Sequence, residues 1–183
     1  MFDRIVDLVP DARVADIYSG VGTMGLESIS RGAASCVFFE GTALVHRTLK
    51  ENVETLAGDV PGVCWKTDVR YTSFIPKGSD DLVPYSLLFF DPPYAQCPTM
   101  QPGGVLHKSL NRLARPSVSS DNALLLVRTP DRFELTVPDS WQLKDCWKLS
   151  TMKIWNLTKP PAASDADNHA GTQETGAAPP DSA

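Results

Sequence analysis

The chain has 183 residues, of which 42% are hydrophobic, enough for one domain with a real core, and its formal net charge is −5. No apolar run approaches membrane-spanning length, and Met1-Phe2-Asp3-Arg4 lacks the basic-then-apolar pattern of a signal peptide, so a cytosolic protein is expected. Cys36, Cys64, Cys97 and Cys146 are scattered without CxxC spacing, which argues against a zinc site or a disulfide framework.

The elements predicted from the pattern alternate strand and helix. Arg13 to Tyr18 reads as a short buried strand, and Ser19-Gly20-Val21-Gly22-Thr23-Met24-Gly25 as a tight turn into a helix that runs through Arg31 and stops at Gly32. Ser35 to Phe39 is a second strand ending at Glu40. Thr42 to Leu56 carries Leu44, Val45, Leu49, Val53 and Leu56 at helical spacing, with Gly58 closing it. Gly62 to Lys66 is a third strand leading to Thr67-Asp68, and Tyr85 to Phe90 a fourth leading to Asp91. The stretch from Ala95 to Gly104, with Pro98 and Pro102, reads as a loop. Gly104 to Leu113 then reads as a helix and Asn122 to Val127 as a fifth strand, apolar enough to be buried on both faces. Trp141 to Ser150 and Thr151 to Leu157 read as a terminal antiparallel pair.

From Pro160 onward the chain is Ala-, Pro-, Gly- and Ser-rich with Asp165, Asp167, Glu174 and Asp181 and no Lys or Arg, which predicts a disordered acidic tail over 160–183 beside a folded domain over 1–159. Without those four acids the domain holds 17 basic and 18 acidic residues, nearly neutral.

An open parallel sheet binds ligands at the carboxyl ends of its strands, and Asp16, Gly20, Glu40, Asp68 and Asp91 all fall there. Gly20, Gly22 and Gly25 have GxGxxG spacing, in which glycines permit a sharp turn and close approach to a ligand. Glu40, about twenty residues on, is positioned to accept both hydroxyls of a ribose. A nicotinamide-binding fold shares these two features. Asp16, before the glycines, suits a cofactor's ammonium or a water rather than a pyrophosphate. Asp68 suits an adenine amino group or, equally, the cap of a turn.

Asp91-Pro92-Pro93-Tyr94 separates the two possibilities. An exocyclic amine conjugated to a ring or carbonyl is a poor nucleophile until its N–H groups are held, which a carboxylate and the Pro92 carbonyl can do. Two prolines stiffen that carbonyl, and Tyr94 offers a face for a planar substrate. The four residues resemble the acidic-Pro-Pro-aromatic signature of S-adenosylmethionine (SAM)-dependent methyltransferases of planar amines. His46, His107 and His169 suit neither a metal site nor a catalytic base, and Lys108, Arg112 and Arg115 form either a solvated helix face or a set of phosphate contacts.

The stretch from Val14 to Glu40, above all Gly25-Leu26-Glu27 and Ser30-Arg31-Gly32-Ala33, resembles the bacterial small-subunit rRNA guanine-N(2)-methyltransferase family (RsmD-like). The likeness continues through Lys50-Glu51-Asn52 and Phe90 to Tyr94, and covers about residues 1 to 158. It implies a Rossmann-like α/β class I SAM-dependent methyltransferase fold, with a mostly parallel seven-stranded sheet and a C-terminal antiparallel hairpin. It implies SAM as cofactor at Asp16, Ser19, Gly20, Gly22, Gly25, Glu40 and Asp68, Asp91 to Tyr94 at the acceptor base, and no metal. Other acceptors compatible with the residues are DNA and protein amides, and another class of role is a SAM-binding ribosome-assembly factor without catalysis. The family's basic segment before Phe2 has no counterpart here, so a monomer acting on a partly assembled subunit is expected in preference to naked RNA. Arg128 stands after the fifth strand, where the family tends to carry an acidic residue.

Overall fold

The computed structural model describes residues 1–161. Five strands, β1 (Arg13–Ile17), β2 (Ser35–Glu40), β3 (Gly62–Lys66), β4 (Tyr85–Phe90) and β5 (Ser119–Pro130), run parallel, and β6 (Gln142–Leu149) and β7 (Met152–Thr158) close the sheet in the order β3-β2-β1-β4-β5-β7-β6. β7 is antiparallel to both its neighbours. The apolar runs dictate this arrangement: the side chains of a strand alternate between faces, so a strand without polar alternation needs cover on both.

The cover is provided by three helices, α1 (Thr23–Ser30), α2 (Ala43–Leu56) and α3 (Val105–Leu113). One core packs Ala15, Ile17, Val37, Phe39, Leu88 and Phe90 against Leu106, Leu110 and Leu113 of α3. The other packs Val14, Cys36, Phe38, Leu87 and Phe89 with Ile29 of α1 and Leu49 and Val53 of α2. Strands β1 to β5 and β7 therefore contribute alternate residues to two cores, and the carboxyl ends of β1, β2, β3 and β4 converge on one edge.

Expected and observed elements differ at four places, the shortest being an unpredicted 3-10 turn at Asp80–Leu82. β5 is longer than the apolar run, continuing through Arg128 to Pro130, because β7 pairs with it along that length. Residues Tyr94–Met100 form a short 3-10 helix instead of a loop, with Cys97 and Met100 buried beneath it. The N-terminal residues Phe2–Arg4 and Val6–Leu8 form two further 3-10 turns, with Ile5 and Val9 buried. The expected tail falls almost wholly outside the described residues. No helix among the described residues is long and apolar enough to cross a membrane.

Candidate functional site

The turn after β1 begins with backbone in an uncommon region. Tyr18 has φ of 64°, and Gly20 and Gly22 follow at 56° and 94°. A left-handed tyrosine costs of order 1–3 kcal/mol and persists where its surroundings hold it. Here Tyr18 Oη donates to Gln96 Oε1 at 2.9 Å and its ring meets Phe90 edge-on at 5.6 Å. The strained residue links the end of β1 to the 94–100 turn and forms part of a cavity wall.

The three motif glycines divide their work. Gly20 lines the cavity, and a side chain there would project into open space. Gly22 starts α1, its amide donating to Ser19 O at 2.8 Å. Gly25 lets α1 lie on the sheet, since a Cβ there would stand 2.2 Å from Phe38 Cε1 and 2.6 Å from Cys36 Sγ. Gly22 and Gly25 do not line the cavity, and nor do Ser19 and Asp16. Ser19 holds β2 instead, donating from N and Oγ to Phe39 O.

Asp16 is wholly buried, and its Oδ2 accepts the Gly25 amide at 2.8 Å. Since Gly22 has no side chain with which to cap α1, a carboxylate from β1 satisfies one of the helix's orphan first-turn donors. This internal contact engages Oδ2 of the carboxylate that sequence assigned to a cofactor. Burial pushes its pKa up to about 7, against the lowering effect of the Gly25 hydrogen bond and with a smaller push from the Asp91 charge.

Glu40, at the end of β2, accepts the Gly20 amide on Oε2 at 3.2 Å and the Thr42 amide on Oε1 at 2.6 Å. Each oxygen retains a lone pair, and the residue lines the cavity. Asp68, after β3, lies on the same wall with its carboxylate clasped by Arg70 at 2.6 Å, and that hydrogen bond holds its pKa below the ordinary value. A backbone bond from Arg70 to Asp68 Oδ1 also makes it a turn cap.

At the end of β4 the Asp91 amide donates to Ile17 O at 3.2 Å, the last rung between β4 and β1. Pro92 and Pro93 carry no N–H and the chain leaves the sheet. The Pro93 carbonyl accepts the Gln96 amide at 2.7 Å, which opens the 94–100 turn, whereas no group donates to the Pro92 carbonyl among the described residues. Tyr94 is 45% exposed on the rim. Asp91 Oδ1 lies 2.7 Å from Arg128 Nε. Burial raises the Asp91 pKa, with Arg128 acting in the opposite direction.

These residues bound a cavity of about 860 Å³ lined by Gly20, Glu40, Asp68, and Asp91 to Tyr94 together. Nine wall residues were not picked out from sequence as part of a site, among them Tyr18, Arg70, Gln96 and Arg128. The Tyr18 position immediately before the glycine turn is the one available signal. Arg112 is half-buried and turns back onto the fold: it donates to the carbonyls of Arg70 at 2.7 Å and Thr72 at 3.1 Å, pinning the segment after β3 to α3. Among the described residues there is no group of three or more His, Cys, Asp or Glu arranged to hold a metal.

Strand order, glycine turn and cavity at the carboxyl edge define a class I SAM-dependent methyltransferase fold. The solved structure of the Escherichia coli protein yhhF has 26% identity and a TM-score of 0.68, covering 86% of this chain and 81% of that one. A tRNA (uracil-54, C5)-methyltransferase from Pyrococcus abyssi, solved with S-adenosyl-L-homocysteine, shares the fold at 18% identity and a TM-score of 0.56, over 85% of this chain and 36% of that one.

Residues 1–155 match the family described as Conserved hypothetical protein 95, and the chain belongs to that family as an RsmD-like member. Ribosomal RNA small subunit methyltransferase D of Escherichia coli strain K12 is 31% identical over 146 residues, which are 78% of this chain and 66% of that protein. The chain thus spans just under two thirds of that relative's length.

Proposed function

We propose that this chain transfers the methyl group of SAM to the exocyclic amine of a guanine in small-subunit ribosomal RNA. The observation that carries the reading is the single cavity walled on one side by Gly20 and Glu40 and on the other by Asp91 to Tyr94. The name of the Escherichia coli relative supports the RNA acceptor.

The residues present suit the cofactor. Glu40 is fixed by two backbone donors and keeps one acceptor position per oxygen for the two ribose hydroxyls. Gly20 leaves space where a side chain would intrude. Asp68 adds an acceptor on the same wall, and the volume falls within the roughly 300–1,000 Å³ of small-molecule sites. Asp16 acts one layer back, holding the helix that starts beside the cavity.

When bound, SAM supplies an activated methyl on a sulfonium centre. The chain's own part is to orient the acceptor. Asp91 Oδ2 and the Pro92 carbonyl receive the two N–H groups of the amine, turning its lone pair into the cavity, and Tyr94 stacks on the base. An ordinary carboxylate, with a reference pKa of ~3.9, is too weak to ionise such an amine beforehand, so the proton leaves late, to Asp91 Oδ2 or to water. The near-neutral balance of 17 basic and 18 acidic residues in the domain favours a partly assembled subunit in the cytoplasm over naked RNA.

Methyl-labelled SAM offered with small-subunit particles, naked rRNA, duplex DNA and free protein tests this. Label in the RNA, with faster transfer to particles, is expected. Label in DNA or protein alone, or SAM binding without any transfer, contradicts it.

A further inference from the structure

Register sets Arg128 beside Asp91. β4 and β5 run parallel with Phe90 opposite Val127, so the next residue of each strand emerges at the same level. Arg128 Nε reaches Asp91 Oδ1 at 2.7 Å. The N–H of that buried Nε points off the line to Oδ1 and has no hydrogen-bond acceptor among the described residues. The pair is therefore a charge contact whose nearest atoms are Arg128 Nε and Asp91 Oδ1. It is also unshielded on one side, with side chains 42% and 22% exposed for Arg128 and Asp91. Both residues line the main cavity and, on their other side, an apolar groove of about 300 Å³ walled by Met24, Phe89, Leu126 and Ile154.

We propose that Arg128 is a positioning residue for methyl transfer: it anchors the Asp91 carboxylate through Oδ1, so that Oδ2 alone is presented to the substrate amine. This rests on the function proposed above. The terminal torsion of an aspartate is broad and nearly two-fold, so an unanchored carboxylate samples orientations in which neither oxygen meets the amine. A misplacement of about 1 Å in such a site costs rate by up to about a hundredfold.

The same contact sets the ionisation. A protonated Asp91 would present a hydroxyl donor where an acceptor is required. Burial raises its pKa and Arg128 opposes the rise. The other titratable groups facing Asp91 do not oppose it. Asp16 of β1 is an acid whose own pKa the Asp91 charge raises, so it offers Asp91 no opposing charge. The Cys97 thiol beneath the 94–100 turn is pushed up to about 11 by burial and stays neutral. Glu27 of α1 lies on the groove wall. The second cationic side chain on the main cavity wall, Arg70, is held by Asp68. Loss of the guanidinium leaves burial unopposed, and Asp91 then titrates at higher pH. Since the ionised form is the competent one, the acidic limb of the rate profile moves upward with it.

The experiment uses the full chain and two variants, Arg128→Gln and Arg128→Lys. The Asp91 carboxyl is followed by carbon NMR titration, assigned through Asp91→Asn, and kcat and KM for subunit RNA are measured against pH. Arg128→Gln is expected to raise the Asp91 midpoint, to shift the acidic limb of kcat the same way, and to lower kcat at neutral pH by on the order of tenfold or more. Arg128→Lys is expected to restore the midpoint toward wild type and only part of kcat, because an ammonium on a flexible stem keeps the charge but not the guanidinium's fixed position against Oδ1. An unmoved Asp91 midpoint in Arg128→Gln overturns the proposal, as does an effect confined to KM, which would make Arg128 a phosphate contact. Failure of the wild-type chain to methylate RNA counts instead against the proposed function, and the NMR titration still decides whether Arg128 anchors Asp91.

Discussion

The two walls of the cavity are built on opposite principles. On the β1–β2 side the polar groups are answered from within the fold: Gly20 and Thr42 hold Glu40 on the wall, and Gly25 holds Asp16 one layer behind it. On the β4–β5 side Asp91 is held by one off-axis cation, and the Pro92 carbonyl has no donor among the described residues. Under the proposed function, the difference teaches how one sheet edge would serve two ligands. A small cofactor of constant shape would meet a preformed surface, while an acceptor that belongs to a macromolecule would meet groups whose partners it can supply.

The comparison breaks most visibly if Asp91 proves dispensable. Asp91→Ala is expected to cut turnover by on the order of a hundredfold or more while leaving SAM affinity nearly unchanged, because it removes a group that orients the amine and does not hold the cofactor. Turnover at the wild-type rate, measured with an rRNA substrate, would mean that the β4–β5 wall does not receive the acceptor.

The opposite wall is tested by Glu40→Ala, expected to weaken SAM binding by about 1.5–3 kcal/mol, the range for hydrogen bonds to a charged group. Calorimetry showing unchanged affinity would remove Glu40 from the cofactor site.

Rigidity of the same wall predicts that Gly25→Ala lowers unfolding stability by about 1–3 kcal/mol, the typical result of overpacking a well-filled contact, since its Cβ would press on Phe38 and Cys36. A denaturant midpoint equal to wild type would show that α1 is free to lift from the sheet.

Asp16 gives a pH-dependent effect. Its pKa is raised from 3.8 to about 7 in the folded protein, so the native state binds this proton more tightly than the unfolded chain. The resulting stabilisation is fully present below about pH 4 and is lost as pH rises through about 7. Asp16→Asn keeps an oxygen for the Gly25 amide and does not ionise. Relative to that variant, wild-type stability should therefore decline between pH 4 and 7 in chemical denaturation. A constant difference across that range would mean that Asp16 is not the titrating group.

How legible each wall was follows from the same contrast. The parallel strands were readable because runs such as Leu87 to Phe90 and Ala123 to Val127 have no polar alternation, and the helix ends because Gly32 and Gly58 punctuate them. Glu40 and Asp91 were readable as polar residues ending apolar runs. Asp16 had the same signal, but its capping of α1 through Gly25 is a tertiary contact that no local pattern announces. Arg128 was invisible as a partner for Asp91, because the pairing depends on the β4–β5 register. Arg112 fitted a solvated stripe by spacing, yet it turns back to the carbonyls of Arg70 and Thr72. Pro98 and Pro102 disguised a 3-10 turn as a loop.

The central claim, that the Asp91 wall receives a guanine amine of rRNA, is tested most directly by nucleoside mass spectrometry of small-subunit particles incubated with the wild-type chain and SAM. The account predicts N(2)-methylguanosine appearing in step with turnover and absent with Asp91→Ala. Methyl groups found only on other nucleosides, or N(2)-methylguanosine formed equally by the variant, would contradict it.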